Sequence, residues 1–418
     1  MQRLSQLGEG VATHQGRTVF VEGALPGERV RARVRQDGKV LRGELLAVLE
    51  ASGSRRVPDA CPVADRCGGC DWLHLDESAQ LEAKREIVLS ALEHLGGIPR
   101  DAYEARPIRA VAPAMEYRRR AVLHPGPEGL GFFGKRSHDH VAVDRCPALV
   151  PGAQGLPGEL SQALQPILRD VAEVHLLEAG GQASFSVHLR HKVKPRHRVA
   201  VQQALKNTRA RGAVLLGFGG TREMLGVPVL REEAPLAPGV TLRLRPDVFA
   251  QAHAGANHAL VEAAVGLASP SPQDRVLELY CGNGNLTFAL ARAAREVTAV
   301  ESHQVSLDLA SNAAGEAKVT NVWFVLGDAR KVAQGLARGG ERFPILVADP
   351  PRTGAPGIGA WAEVLGVRRV VYVACDPGAL ARDARELKDR GFAPKALELI
   401  ELFPQTHHVE AVMSFEKA

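Results

Sequence analysis

From about residue 241 onward, short apolar runs alternate with helix-length segments: RVLELY, EVTAVE, NVWFVLGD, PILVADP and RRVVYVAC. Runs this short and this apolar read as strands buried on both faces, and a parallel sheet with helices on each side buries them. The alternation predicts an α/β domain with a doubly wound sheet. Two closing strands near 396–402 and 409–415 would bring that sheet to seven. Ligands of open parallel sheets sit beyond the carboxyl ends of the strands, so residues there are the first candidates for chemistry.

In RVLELYCGNGNLTFALA, Gly282 and Gly284 fall between a strand and a helix. Glycines there let backbone approach a ligand and leave the helix N-terminus free to face it. Glu301 ends the second strand, where a carboxylate can bridge ribose hydroxyls, and Asp328 ends the third, within reach of an adenine edge. A nicotinamide dinucleotide would favour a third glycine at 287, and that position is Thr. S-adenosylmethionine, with no pyrophosphate to cradle, fits better.

Cys375 ends RRVVYVAC, and the loop DPPRTG (349–354) follows the fourth strand. Two consecutive prolines stiffen that loop in an extended form, which can hold Asp349 and Arg352 against a planar substrate. Carbon-5 of uracil is a poor nucleophile until a thiolate adds at carbon-6; a base must then remove the carbon-5 proton. Cys375 supplies the thiol and Glu410, in FPQTHHVEAV, is the candidate base. Taken alone, a thiol at a strand end is as readily an inert buried cysteine.

The 418 residues allow two or three domains. No apolar run approaches the roughly 20 residues of a membrane span, and MQRLSQLGEG lacks the apolar core of a signal peptide, so a cytoplasmic protein is expected. Residues 1–53 read as a small β-barrel, 54–240 as an α+β domain containing a helix from about 76 to 95, and 241–418 as the doubly wound domain. Basic residues are clustered. Arg29, Arg31, Arg33 and Arg35 alternate with small apolar residues, Arg118–Arg120 are consecutive, and 190–222 holds nine Lys or Arg and no acid. Each cluster alone suits a solvated face, but together they predict a phosphate backbone as partner.

Cys61, Cys67, Cys70 and the distant Cys146 form a C-x5-C-x2-C…C set. In a cytosolic chain such a set suggests metal rather than disulfide. Paired C-x2-C knuckles of a zinc ribbon are missing, and four thiols on loops suit a [4Fe–4S] cluster. Spacing leaves zinc and free thiols open.

Taken together, LYCGNGN, DPPRTG, VYVACDPGALARD, FPQTHHVE and PDVFAQAH resemble the S-adenosylmethionine-dependent RNA 5-methyluridine (uracil-5-) methyltransferases over nearly the whole chain. The resemblance implies a Rossmann-like seven-stranded methyltransferase domain, an N-terminal TRAM domain of OB-type β-barrel form, and a central α+β domain carrying the cluster. By position it makes Cys375 the nucleophile and Glu410 the base, with Gln251, Tyr280, Asn285, Glu301, Asp328 and Asp349 around the methyl donor and reaction centre. It also implies a [4Fe–4S] cluster on Cys61, Cys67, Cys70 and Cys146, as in the branch acting on ribosomal RNA. The expectation is therefore a monomer that methylates a uridine of 23S ribosomal RNA. The same chemistry on the T-loop uridine of tRNA, and an idle RNA-binding assembly factor, are the alternatives. Two positions depart from the pattern: Asp376 and His253 stand where the family has Asn.

Overall fold

The computed structural model describes residues 1–417. Strands Arg3–Leu4, Gly10–His14, Arg17–Val21, Arg29–Asp37 and Val40–Glu50 make one five-stranded sheet around a small core of Val19, Val21, Ala24 and Leu41. Arg29–Asp37 lies at one edge and Arg3–Leu4 at the other. Among the described residues no pairing joins these edges, so the sheet is an open form of the expected barrel. Period-two alternation turns Arg29, Arg31, Arg33 and Arg35 to solvent while Val30 and Ala32 are half-buried.

A second, seven-stranded sheet spans residues 120–226, with helices Leu156–Leu164 and Pro195–Asn207 contributing to its core through Leu160, Leu164, Val201 and Ala204. Here the arginine reading needs correction. Arg119 is buried, donating Nε–H to the Gln251 carbonyl at 2.7 Å and pairing with Glu232. The Nε atoms of Arg118 and Arg120 are buried as well. The strand Arg120–Gly126 is an interior one, flanked by Val171–Ala179 and Gly129–Phe133, so this triplet does not form a solvated basic face. The 190–222 stretch is partly neutralised: Arg196 pairs with Asp170 at 2.6 Å, Arg198 with Glu223 at 2.6 Å and Arg222 with Asp247 at 3.0 Å.

The third sheet runs Val322–Leu326, Glu296–Glu301, Arg275–Leu279, Ile345–Ala348, Arg369–Ala374, Glu410–Lys417, Phe392–Ile400. The first five are parallel and Glu410–Lys417 is antiparallel to both its neighbours. An eighth, two-residue strand, Glu104–Ala105, adds to the Phe392–Ile400 edge from outside the expected domain. Helix Glu77–His94 crosses over too. Asp76 caps it by accepting from Ala79 N–H at 2.9 Å. Its Val88, Leu89 and Leu92 are buried in one core with Leu277, Leu346 and Tyr372. No helix among the described residues is long and apolar enough to cross a membrane.

Candidate active site

The central strand Arg275–Leu279 runs into a turn in which Tyr280, Gly282 and Gly284 all have positive φ (65°, 57° and 94°). The two glycines serve different ends. A Cβ on Gly284 would meet the Phe288 ring at 2.6 Å, so this position is required for packing. Nothing lies within 4 Å of the corresponding point on Gly282, which leaves an open cradle beside the backbone. Glu301 ties the cradle together, accepting from Gly282 N–H at 3.0 Å and from His303 N–H at 2.7 Å. Asp328 caps helix Ala329–Arg338 through Lys331 N–H. Asn285 exchanges two 2.8 Å hydrogen bonds with Asn257, and Gln251 is buried with its carbonyl held by Arg119.

Sequence reasoning missed Glu278. This carboxyl is buried in the central strand, its Oε2 has no hydrogen-bond partner, and burial pushes it up to about 8. Thr287 Oγ1, at the start of the following helix, is likewise buried. The Thr287 side chain opposes the effect of burial on Glu278, so the two polar groups face each other inside the domain. The signal was available: one acid inside VLEL.

At the same edge of the sheet the candidate reacting groups converge. Ala374 lies opposite Ala411 across the antiparallel pair, so the chain brings Cys375 opposite Glu410. Asp349 follows Ile345–Ala348, which pairs with the Cys375 strand on its other side. Burial pushes the Cys375 thiol up to about 12, and the charges of Glu410 and Asp349 add to this while Arg352 opposes it. Glu410 is raised well above the usual carboxylate range by burial, then by Asp349, against Arg352. Burial raises Asp349 too. Two acids and a thiol sharing one dry corner each bind a proton more tightly than they would in water.

Both departures from the family pattern have a local explanation. Asp376 caps helix Pro377–Asp389, accepting from Ala379 N–H at 2.7 Å. His253 caps helix Ala254–Ala268 with Nδ1 accepting from Ala256 N–H at 3.4 Å, which leaves Nε2–H to donate to the Val111 carbonyl at 3.1 Å. Asn and Asp are equally good caps, and the negative charge of Asp376 suits a helix N-terminus.

Residues distant in sequence brace the site. Asp383 accepts from Tyr372 O–H at 2.5 Å and Ala355 N–H at 2.6 Å, anchoring the end of the DPPRTG loop to a helix. The segment before Glu410 is gripped from the first third of the chain. Buried Lys84 pairs with Glu401 at 2.7 Å, Gln80 exchanges hydrogen bonds with Gln405, and Tyr117 O–H donates to the Pro404 carbonyl. No local pattern announces contacts across some 300 positions, such as the one from Gln80 to Gln405.

Cys61, Cys67, Cys70 and Cys146 line a single small cavity of about 60 Å³, together with Met115, Phe132, Val143 and Arg118. Burial raises the Cys67 and Cys146 thiols and pushes Cys70 up to about 12. Arg118 Nη2 donates to Tyr117 Oη at 3.3 Å, and its Nε finds no partner. Among the described residues no group of three or more His, Cys, Asp or Glu side chains is drawn tightly enough together to hold a metal ion.

Comparison with known proteins gives a consistent result. Residues 221–418 match the tRNA (Uracil-5-)-methyltransferase family model, and residues 2–46 match the TRAM domain. The 23S rRNA (uracil(1939)-C(5))-methyltransferase RlmD of Pseudomonas putida is 36% identical, covering 100% of this chain and 92% of that protein. The protein of the same name from Vibrio parahaemolyticus is 31% identical, covering 100% and 95%. Among solved structures, the tRNA (uracil-54, C5)-methyltransferase of Pyrococcus abyssi, in complex with S-adenosyl-L-homocysteine, superposes with a TM-score of 0.74. It covers 99% of each chain at 20% identity, a likeness of fold.

Proposed function

The chain belongs to the family of RNA (uracil-5-)-methyltransferases, and from that premise we propose that it methylates carbon-5 of a uridine in 23S ribosomal RNA. The observation that carries the mechanism is the placement of Cys375 opposite Glu410 with Asp349 alongside. S-adenosylmethionine supplies an electrophilic methyl group. The open cradle at Gly282 and the Glu301 carboxylate suit its polar parts.

Cys375, once deprotonated, adds to carbon-6, forming an S–C bond and moving the ring electron pair toward carbon-5 and its carbonyl. Carbon-5 takes the methyl group as the donor's sulfur–methyl bond breaks. Glu410 removes the carbon-5 proton, the C5–C6 double bond re-forms, and the Cys375 thiolate leaves. A carboxylate whose proton affinity has been raised by burial is a stronger base once ionised, which suits Glu410 to the last step. Arg352 offsets negative charge on both groups.

The four cysteines form the second part of the proposal. Thiolates on a single zinc ion stand about 4 Å apart, whereas a [4Fe–4S] cluster places iron and sulfide between its thiolates. A cavity lined by four thiols, with a buried guanidinium to balance an anion, fits the cluster better. Its role is structural. Residues 1–53 and 54–240 would hold the RNA, chiefly through the exposed arginines of the first sheet, while 241–418 performs the chemistry of a cytoplasmic monomer.

RNA carrying 5-fluorouridine at the target cannot lose the carbon-5 proton, so it should trap an adduct through Cys375 that survives denaturing electrophoresis. No adduct in the presence of S-adenosylmethionine would overturn the covalent mechanism. Loss of 5-methyluridine from tRNA rather than 23S rRNA in a strain lacking the protein would overturn the substrate. Anaerobically purified protein should be brown and contain four irons; colourless protein containing zinc would overturn the cluster.

A further inference from the structure

We propose that Asp71, His407 and His408 form a positioning relay that carries the placement of the cysteine-bearing loop to Arg352 at the reaction centre. The inference rests on the covalent mechanism above and names residues that the mechanism does not use.

The relay starts next to Cys70. The Asp71 carboxylate grips His407 twice, with Oδ1 accepting from the backbone N–H at 3.2 Å and Oδ2 facing ring Nδ1 at 2.5 Å. A carboxylate on Nδ1 fixes that nitrogen as the protonated one and sets the ring plane. The His407 ring lies 4.1 Å from that of His408, centroid to centroid, and the Phe403 edge closes the other approach at 5.8 Å. His408 Nε2 is 3.4 Å from Arg352 Nη2. His408 is pushed down to about 3, first by burial and then by the neighbouring His407 and Arg352. It is therefore neutral at physiological pH, and a neutral ring offers the lone pair that a guanidinium needs.

Arg352 depends on that contact. It is exposed on the DPPRTG loop, and among the described residues it makes no ion pair and no side-chain hydrogen bond other than the one to His408. Yet it is the cation that offsets the negative charge of Cys375 and Glu410. A long side chain with one tether samples many rotamers once the tether is lost. Asp71, Arg118, Lys135, Arg352, His407 and His408 also share the wall of one cleft of about 460 Å³, so the relay is contiguous in space. Asp71, His407 and His408 are positioning residues: their effect on the reacting atoms passes through Arg352.

The test is a double-mutant cycle on the full-length protein, reading the single-turnover rate of adduct formation on 5-fluorouridine RNA. Asp71→Ala and Arg352→Gln should each slow the adduct, by up to about 100-fold for a misplaced group. The combined variant should be no slower than Arg352→Gln alone, because a relay has nothing left to act on. Asp71→Asn, which keeps an acceptor for His407, should recover most of the rate, and S-adenosylmethionine affinity should be unchanged throughout. His408→Leu, remote from the cysteines, should reproduce the Asp71→Ala effect even if the latter disturbs its own loop, and His408→Gln should restore it. Additive losses in the combined variant, or wild-type rates in His408→Leu, would overturn the relay. An absence of adduct in the wild-type protein would sink the covalent mechanism instead, so the two failures are distinguishable.

Discussion

Cys375 and Cys70 share a residue type and the same upward push to about 12, both from burial first. Their neighbours differ in sign. Cys375 sits where two strands present Glu410 and Asp349, with Arg352 at the rim. Cys70 faces three other thiols and the interior cation Arg118. A thiol beside a base can add to a carbon and be expelled again, whereas thiols around a cavity with a fixed cation are disposed to hold something that stays. Burial makes both thiols reluctant to ionise, and the company each one keeps decides its chemistry.

The comparison breaks most directly at Cys375. Cys375→Ala should lower methyl transfer by roughly 10⁴-fold or more, measured as labelled methyl incorporated into RNA, with S-adenosylmethionine binding intact by calorimetry. Substantial turnover in that variant would make the two thiols equivalent bystanders. Next in size, Glu410→Gln should cost about 10²–10⁴-fold and leave methylated adduct on ordinary RNA; a slow variant without adduct would place the base elsewhere. Cys70→Ala should strip iron and colour while sparing donor affinity, separating the holding site from the reacting one.

Proton affinity gives a subtler test. A thiol held up at about 12 is protonated at neutral pH, so adduct formation should quicken between pH 7 and 9, by up to about tenfold per unit while ionisation is limiting. Asp349 and Glu410 bind protons more tightly in the folded state than in the unfolded one. Their contribution to stability is full below the unfolded carboxyl range and is lost as pH rises through the raised folded values. Histidines such as His74 and His188 work the opposite way, because burial lowers their proton affinity. The test is therefore a difference: the stability of the wild-type protein relative to Glu410→Gln should fall as pH rises from 5 to 8. The smallest effect belongs to the surface: Arg31→Ala with Arg35→Ala should weaken RNA binding and reduce its salt dependence by about one ion per arginine, leaving kcat unchanged.

The catalytic sheet was largely legible because period and length are local properties: five short apolar runs and a glycine turn specify a doubly wound fold, although the edge run Val322–Leu326 leaves Trp323 and Leu326 exposed. Cys375, Glu410, Glu301 and Asp328 could be singled out as candidates because strand ends in such a sheet are where ligands meet side chains. Charge clusters were read less well. Arg29–Arg35 and Arg118–Arg120 look alike on paper, yet one is a solvent-facing row and the other is interior. Local charge density carries no information about which strand becomes central. Helix Glu77–His94 was found, but not its home in the core of the C-terminal sheet.

Sequence by itself determined the α/β class and singled out the candidate nucleophile and base and the four-cysteine set, since each depends on residue type and short-range spacing. Only the tertiary structure decided that Glu278 is a buried acid, that Asp376 and His253 are helix caps, and that Asp71 reaches His407 from 336 positions away. Those are relations between segments set by how the layers pack, and packing is satisfied by the whole chain at once rather than by any stretch of it.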